Sequence, residues 1–205
     1  MSEHERPLRR ADLDPDPLEQ FQRWFAEAAA VVRMPEAGAL ATATAEGTPS
    51  LRMVLLKVFD RDGVVFHTHA TSRKGRELDA NPRAAILFYW DPLGRQVRIE
   101  GPVEREPEAA VDAYFAGRPR GAQIGAHASA QSEVIPGRET LERSVAELEA
   151  EFEGRDVTRP ANWVGYRLVP ETWEFWQHRD NRLHDRFRYR RDGTDAAWVI
   201  ERLAP

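Results

Sequence analysis

Apolar residues recur at helical spacing through Leu18, Phe21, Trp24, Phe25, Ala28 and Val32, behind an Asp16-Pro17 start. Asp suits an N-cap and Pro the first helical position, so this pattern predicts one amphipathic helix ending near Pro35. The period then changes. Residues 39–45 alternate small apolar side chains with Thr, and residues 50–59 and 64–69 are Val- and Leu-rich runs on either side of Asp60-Arg61-Asp62-Gly63. These read as three strands, the last two joined as a hairpin. Ser72 opens a short helix through Asp79, which Asn81-Pro82 closes. Strands follow at 83–90 and 96–104, around an Asp91-Pro92-Leu93-Gly94 turn.

The next stretch is more helical. Residues 107–116 place Val111, Tyr114 and Phe115 on one side, and Arg118-Pro119-Arg120-Gly121 interrupts the pattern. Residues 138–153 form a long amphipathic helix with Leu141, Val145, Leu148 and Phe152 along its stripe, and 127–137 and 154–162 read as surface loops. Strands resume at 163–169, 172–177, 183–190 and 196–203, the last beyond an Asp192-Gly193 turn. Short turns between consecutive strands require antiparallel pairing, and the lack of repeated helical crossovers disfavours a doubly wound sheet. The prediction is a mainly β fold, an antiparallel barrel with flanking α-helices. It forms one domain over residues 16–205, preceded by a flexible, charged lead-in at 1–15.

Composition narrows the chemistry. The 205 residues are 41% hydrophobic and 31% charged, enough for one domain with a real core. Cysteine is absent, which excludes disulfide scaffolds, thiolate zinc sites, iron–sulfur clusters and thiol nucleophiles. Residues 1–10 are polar and charged, and no apolar run approaches the roughly 18 residues of a membrane span, so a cytoplasmic protein without membrane contact is expected. Lys and Arg number 29 against 34 Asp and Glu, a net charge of −5 that weighs against nucleic-acid binding. Against that background Arg73-Lys74 and the arginines from 182 to 191 stand out as discrete anion sites. Glycine-rich nucleotide loops, HExxH and GxSxG are missing.

Four groups of residues carry candidate chemistry. Ser72, Arg73 and Lys74 sit at a predicted helix start, where free N–H groups and the helix dipole favour a phosphate; the plainer alternative is a Ser cap with two solvated bases. Arg182, His184 and Arg186 share one face of a predicted strand near Trp176, which suits a planar anionic ligand or, alternatively, a face salt-bridged to Glu174 or Asp185. Arg52 and Lys57 end one strand five residues apart, on opposite faces unless the strand bulges. His67 and His69 flank Thr68 and share a face, but no third ligand stands near and no metal is assigned.

Together these segments resemble the pyridoxine/pyridoxamine 5′-phosphate oxidase family. RMVLLK at 52–57, SRKGREL at 72–78, RPRGAQIGA at 118–126, AQS at 130–132, EFWQ at 174–177, RLHDR at 182–186 and RLAP at 202–205 fall in the family's order. The resemblance implies a split β-barrel homodimer holding FMN in two clefts at the subunit interface. Arg52, Arg73 and Lys74 would hold the FMN phosphate, with Thr68 and Ser72 nearby. Met53, Val54, Leu55, Leu56, Lys57 and His67 would also line the cofactor. Gln96, Gln131, Ser132, Trp176 and Arg186 would complete the flavin site, some from the partner subunit. Lys57, Tyr114 and Arg118 would meet the substrate phosphate, so that Arg52 and Lys57 serve two different phosphates. Arg182 and His184 would act as the catalytic pair over the substrate ring.

The reaction so implied oxidises pyridoxamine or pyridoxine 5′-phosphate to pyridoxal 5′-phosphate, with hydride passing to the flavin and dioxygen as acceptor. Related readings are a split-barrel flavin oxidase of the phenazine-pathway type and a non-catalytic flavin or heme carrier. Lys57 and the RPR segment favour the first over the second; Arg182 and His184 argue against a carrier. The chain also departs from the family pattern. Ala122 stands where Ser is usual, His127 where Trp is, His67 where Tyr is, and Val164 where Gly is common. The family's additional N-terminal segment is not visible before Leu8.

Overall fold

The computed structural model describes residues 7–193 and 196–205. Its elements are α1 (Pro17–Ala29), β1 (Ala37–Ala43), β2 (Pro49–Asp60), β3 (Gly63–His69), α2 (Arg73–Ala80), β4 (Arg83–Trp90), β5 (Arg95–Arg105), α3 (Glu108–Ala116), α4 (Arg120–Ala128), α5 (Arg138–Glu151), β6 (Trp163–Leu168), β7 (Thr172–Gln177), β8 (Asp185–Arg190) and β9 (Val199–Leu203). Every strand pairing is antiparallel. The order β4-β1-β2-β3-β6-β5 closes on itself through β4–β5, giving a six-stranded barrel, and β7, β8 and β9 extend from β5. Closure leaves those six strands few unpaired edges.

β5 makes the split. Residues 95–100 pair with β7, whereas Val103, Glu104 and Arg105 pair with β6. Between them lies Gly101, where an added Cβ would sit 1.9 Å from the Val169 carbonyl oxygen. Only a residue without a side chain lets the β6–β7 connection cross so closely. Val169 N and Glu171 N donate to Pro102 O and Glu100 O there, at 2.9 Å each.

α1 begins as its sequence requires. Asp16 accepts from Leu18 N at 2.9 Å and Pro17 fills the first position. Phe21, fully buried, meets Phe59 of β2, Phe88 and Trp90 of β4, and Trp173 of β7 at ring separations of 4.9 to 5.9 Å. A second core joins Val111, Phe115, Ile124, Phe152 and Trp163 across α3, α4, α5 and β6.

Several boundaries differ from expectation. α1 stops at Ala29, because Ala30 and the turn after it leave the helix six residues before Pro35. α4 falls where a break and a loop were expected; its RGAQIGAHA sequence hides the helix behind two glycines, yet Gln123, Ile124 and Ala126 are buried. The strand expected from 183 begins at Asp185 and the one expected from 196 begins at Val199. The expected lead-in is not loose in its described part: Leu8 and Leu13 are buried, Leu8 N donates to Asp185 Oδ2 at 3.1 Å, and Tyr189 Oη donates to Asp14 O at 2.7 Å. Two leucines in a charged stretch outweighed its polar composition. Residues 1–6 of that lead-in lie outside the described residues.

The Phe21 cluster yields a stability expectation. Phe21→Ala should lower the unfolding free energy by about 3–5 kcal/mol, as loss of a fully buried aromatic ring does. Urea denaturation followed by tryptophan fluorescence measures it.

Candidate active site

Ser72 caps α2. Its Oγ accepts from Gly75 N at 3.3 Å and donates to His69 O at 2.7 Å. Gly75 is needed there because a Cβ would meet the Ala70 carbonyl oxygen at 2.3 Å. The helix start therefore packs tightly on the end of β3 and projects Lys74 beside Thr68. Lys74 Nζ donates to Thr68 Oγ1 at 3.0 Å and to Gln131 Oε1 at 3.2 Å, and Thr68 Oγ1 donates to Gln131 Oε1 at 2.9 Å. Arg73 N donates to Ser132 Oγ at 3.0 Å. Ser132 holds φ at +74°, an uncommon conformation for a residue with a side chain, and this aims its hydroxyl at the helix start.

Two cavities meet at Lys74. The larger, about 800 Å³, is lined by Met53, Val54, Leu55 and Lys57 of β2, His67 and Thr68 of β3, Tyr114, Arg118 and Ala122 of the helical segment, and Gln131. The smaller, about 330 Å³, is bounded by Ser50, Leu51, Arg52, Arg73, Lys74 and Ser132. The alternation of β2 sends Arg52 inward with Ser50 and Lys57 outward with Met53 and Leu55. Its pairing with β3 shifts register between Leu56 and Val58, a bulge at Lys57 itself. Arg52 and Lys57 thus reach different cavities.

The charges in these cavities are unevenly compensated. Lys57 pairs with Glu36 at 3.1 Å. Lys74 and Arg118 have no carboxylate in ion-pairing range among the described residues, and Arg118 Nη1 is buried with no hydrogen-bond partner. Burial lowers both pKa values, and the nearby Arg52 adds to the effect on Lys74. Arg118 lies over the Trp163 ring at 4.9 Å, a cation–π contact that fixes it without neutralising it. Half-buried cations left this way fit an anionic ligand.

His67 forms part of the wall. Its ring stacks on Tyr114 at 4.0 Å and on Trp163 at 4.8 Å, within 6° of parallel to each. Burial pushes its pKa down to about 4, Glu106 opposing and Arg118 assisting, so it is neutral at pH 7. His69 is buried and does not line the cavity; burial and the Lys74 charge lower its pKa. No group of three or more His, Cys, Asp or Glu that could hold a metal occurs among the described residues.

The other expected site residues lie elsewhere. Gln96, Trp176 and Arg186 stand directly opposite one another across β5, β7 and β8. Arg186 Nε donates to Glu174 Oε1 at 2.7 Å and its Nη1 to Ala204 O at 2.8 Å. Arg182 and His184 do not share a strand face with Arg186. They belong to a turn before β8 in which Asn181 and Arg182 adopt φ of +56° and +61°. A period of two could not reveal that reversal. His184 lies 4.5 Å from the Trp176 ring, and its Nδ1 accepts from Arg179 N at 3.1 Å. Its pKa is lowered by burial, His178, Arg182 and Arg186. None of these five residues lines the two cavities. Leu56 is fully buried in the core and likewise faces neither. Sequence reasoning missed Glu77, Thr42 and Ser50, which surround the Arg52 guanidinium; the i,i+4 spacing of Arg73 and Glu77 was the available signal.

Residues 25–152 match the profile of the pyridoxamine 5′-phosphate oxidase family. Residues 163–205 match the pyridoxine 5′-phosphate oxidase C-terminal dimerisation region. The chain belongs to the pyridoxamine 5′-phosphate oxidase family. A pyridoxine/pyridoxamine 5′-phosphate oxidase of Rubrobacter xylanophilus is 58% identical over 193 residues, covering 94% of this chain and 88% of that protein. A pyridoxine-5′-phosphate oxidase of Bos taurus is 49% identical, covering 93% and 78%. Among solved structures, PhzG from Burkholderia lata, in complex with tetrahydrophenazine-1-carboxylic acid, superposes with a TM-score of 0.90 at 40% identity, covering 98% of this chain and all of that one. Family membership makes the chain a flavin oxidoreductase of this type. No helix among the described residues is long and apolar enough to cross a membrane.

The neutral His67 has a pH signature. Its folded pKa of about 4 lies below the ordinary 6.5, so the unfolded chain binds more protons between these values. Stability contributed at this site is present above pH 6.5 and is lost as pH falls towards 4. His67→Tyr, which keeps a stackable ring without a titrating nitrogen, should flatten the decline of the urea midpoint between pH 7 and pH 5.

Proposed function

We propose that this protein is an FMN-dependent oxidase converting pyridoxamine or pyridoxine 5′-phosphate to pyridoxal 5′-phosphate, with dioxygen as acceptor. The observation that carries this reading is the pair of adjoining cavities, each with its own cations, joined at Lys74. One molecule with a single phosphate leaves half of these cations unused; a flavin nucleotide and a phosphorylated substrate use both sets. Arg52, Arg73 and Lys74, with Ser132 and the α2 start, hold the cofactor phosphate. Lys57, Tyr114 and Arg118 hold the substrate phosphate, whose binding energy orients the distant reacting carbon. The bound flavin supplies the hydride acceptor and its reoxidation by dioxygen.

The site is completed in a homodimer. Leu51, Met53 and Leu55 are exposed in a row on β2 beside the cavities, a surface for a second copy to cover. In that assembly Gln96, Trp176 and Arg186 of one protomer meet the flavin held by the other. Arg182 and His184 lie over the substrate ring. Because His184 Nδ1 accepts the Arg179 amide, the neutral ring carries its proton on Nε2. His184 therefore holds the substrate as a hydrogen-bond donor, and the Arg182 guanidinium supplies positive charge beside it. The consecutive left-handed residues at 181 and 182 are an uncommon backbone arrangement, and a turn shaped for the ligand accounts for it. A cytoplasmic setting for vitamin B6 metabolism suits this reaction, which needs only soluble substrates.

Three measurements test this reading. Purified protein should carry FMN and release peroxide with pyridoxamine or pyridoxine phosphate; a flavin-loaded protein inert to both would reject the assignment. Arg182→Ala should cut turnover roughly a hundredfold while flavin content stays near that of the wild type. Ala122 lines the cavity of Lys57, Tyr114 and Arg118. Ala122→Ser adds a donor there and should lower KM for the phosphorylated substrate about tenfold.

A further inference from the structure

Glu77 lies on α2, one turn beyond Arg73, with its side chain only 5% exposed. A buried carboxylate is costly unless it is paired and hydrogen-bonded. Here both oxygens are engaged. Oε2 accepts from Thr42 Oγ1 and Ser50 Oγ at 2.5 Å each and from Arg52 Nη2 at 3.2 Å. Oε1 accepts from Arg73 Nε at 2.8 Å. Thr42 and Ser50 act as relays, because each also accepts from Arg52: Thr42 Oγ1 from Nη1 at 2.5 Å, and Ser50 Oγ from Nη2. Burial alone would raise the Glu77 pKa, but the hydrogen bonds from Ser50, Thr42, Arg73 and Arg52 outweigh it and hold it at about 2. The carboxylate is ionised at any working pH.

The pattern of donors left over is informative. Arg73 is anchored at Nε alone, and no partner takes hydrogen bonds from its two terminal nitrogens among the described residues. Its planar fork is thus pinned at the stem and open at the tip, the end that grips phosphate oxygens in a bidentate manner. Arg52 is held from the opposite side, its terminal nitrogens directed to Leu40 O, Thr42, Ser50 and Glu77. Both guanidinium groups line the smaller cavity, and among the described residues Glu77 is the one group that contacts both. Lys74, on the same helix, turns to Thr68 and Gln131 instead.

We propose that Glu77 is the positioning residue of the cofactor-phosphate subsite: by gripping Arg52 and Arg73 together it presets the Arg73 fork for an incoming phosphate monoester. This rests on the assignment of the smaller cavity to the FMN phosphate. Glu77 touches no ligand itself. It supplies alignment and keeps two like charges side by side before the anion arrives, so that less ordering remains to be done on binding.

The test is equilibrium binding of FMN and of riboflavin, which lacks the phosphate, to the flavin-free full-length protein, followed by flavin fluorescence. The wild type should prefer FMN. Glu77→Ala should weaken FMN binding roughly tenfold or more while leaving riboflavin affinity within about twofold. Glu77→Gln keeps the shape and one acceptor oxygen, so it should show the same selective loss to a smaller degree; it also carries the test if the alanine variant does not fold. Equal weakening of both flavins in these variants would mean that Glu77 only supports the fold, and unchanged FMN binding would mean that it positions nothing. Either result overturns the proposal while the flavin assignment stands. A wild type that binds FMN no better than riboflavin would defeat the phosphate assignment and the proposal with it.

Discussion

The structure depends on keeping several positive charges close together in a partly buried cleft. Arg52, Arg73, Lys74, Lys57 and Arg118 all line the two adjoining cavities, whereas among the described residues Glu77 and Glu36 are the carboxylates that pair with any of them. Such a concentration repels itself and resists desolvation. The fold answers in three ways. Glu77 neutralises part of the charge, Trp163 offers Arg118 an aromatic face, and the Gln131 carbonyl oxygen takes the Lys74 ammonium. What remains is a standing attraction for anions that needs no rearrangement to create.

The barrel supplies rigid positions for these groups. β2 and β3 deliver Arg52, Lys57 and Thr68 from paired strands, and the tight β3–α2 junction fixes the helix start beside them. The second core of α3, α4 and α5 carries Tyr114, Arg118 and Ala122 on a separate support. The departures from the family pattern fall at different depths. His127 packs against Phe152 and bonds Thr158 O at 2.7 Å, so it sits at the edge of the helical core and does not line the cavity wall. His67 and Ala122 are in the wall itself.

Much of this was legible in the order of residues. Alternation and turn chemistry located the nine strands of the described residues, and the short connections implied antiparallel closure. Ser72 read as a cap and is one. The opposite facing of Arg52 and Lys57 followed from strand period alone. Features that depended on long-range packing were not readable. The helix at 120–128 is stabilised by burial of Gln123 and Ile124 more than by propensity, and the turn at 180–184 takes left-handed angles that no periodicity encodes. Glu77 carried no assigned role in the sequence; the fold places Thr42, Ser50 and Arg52 around it.

The row Gln96, Trp176, Arg186 crosses the sheet where β5 has left the barrel for β7, and it shares no cavity wall with Lys74 or Arg118. In the homodimer proposed above, one polypeptide carries two complementary half-sites, one in the cavity walls and one on the β5–β7–β8 row. Damage to either half is inherited by a different cleft from damage to the other, so two crippled chains, each defective in its own half, retain between them the parts of one intact centre.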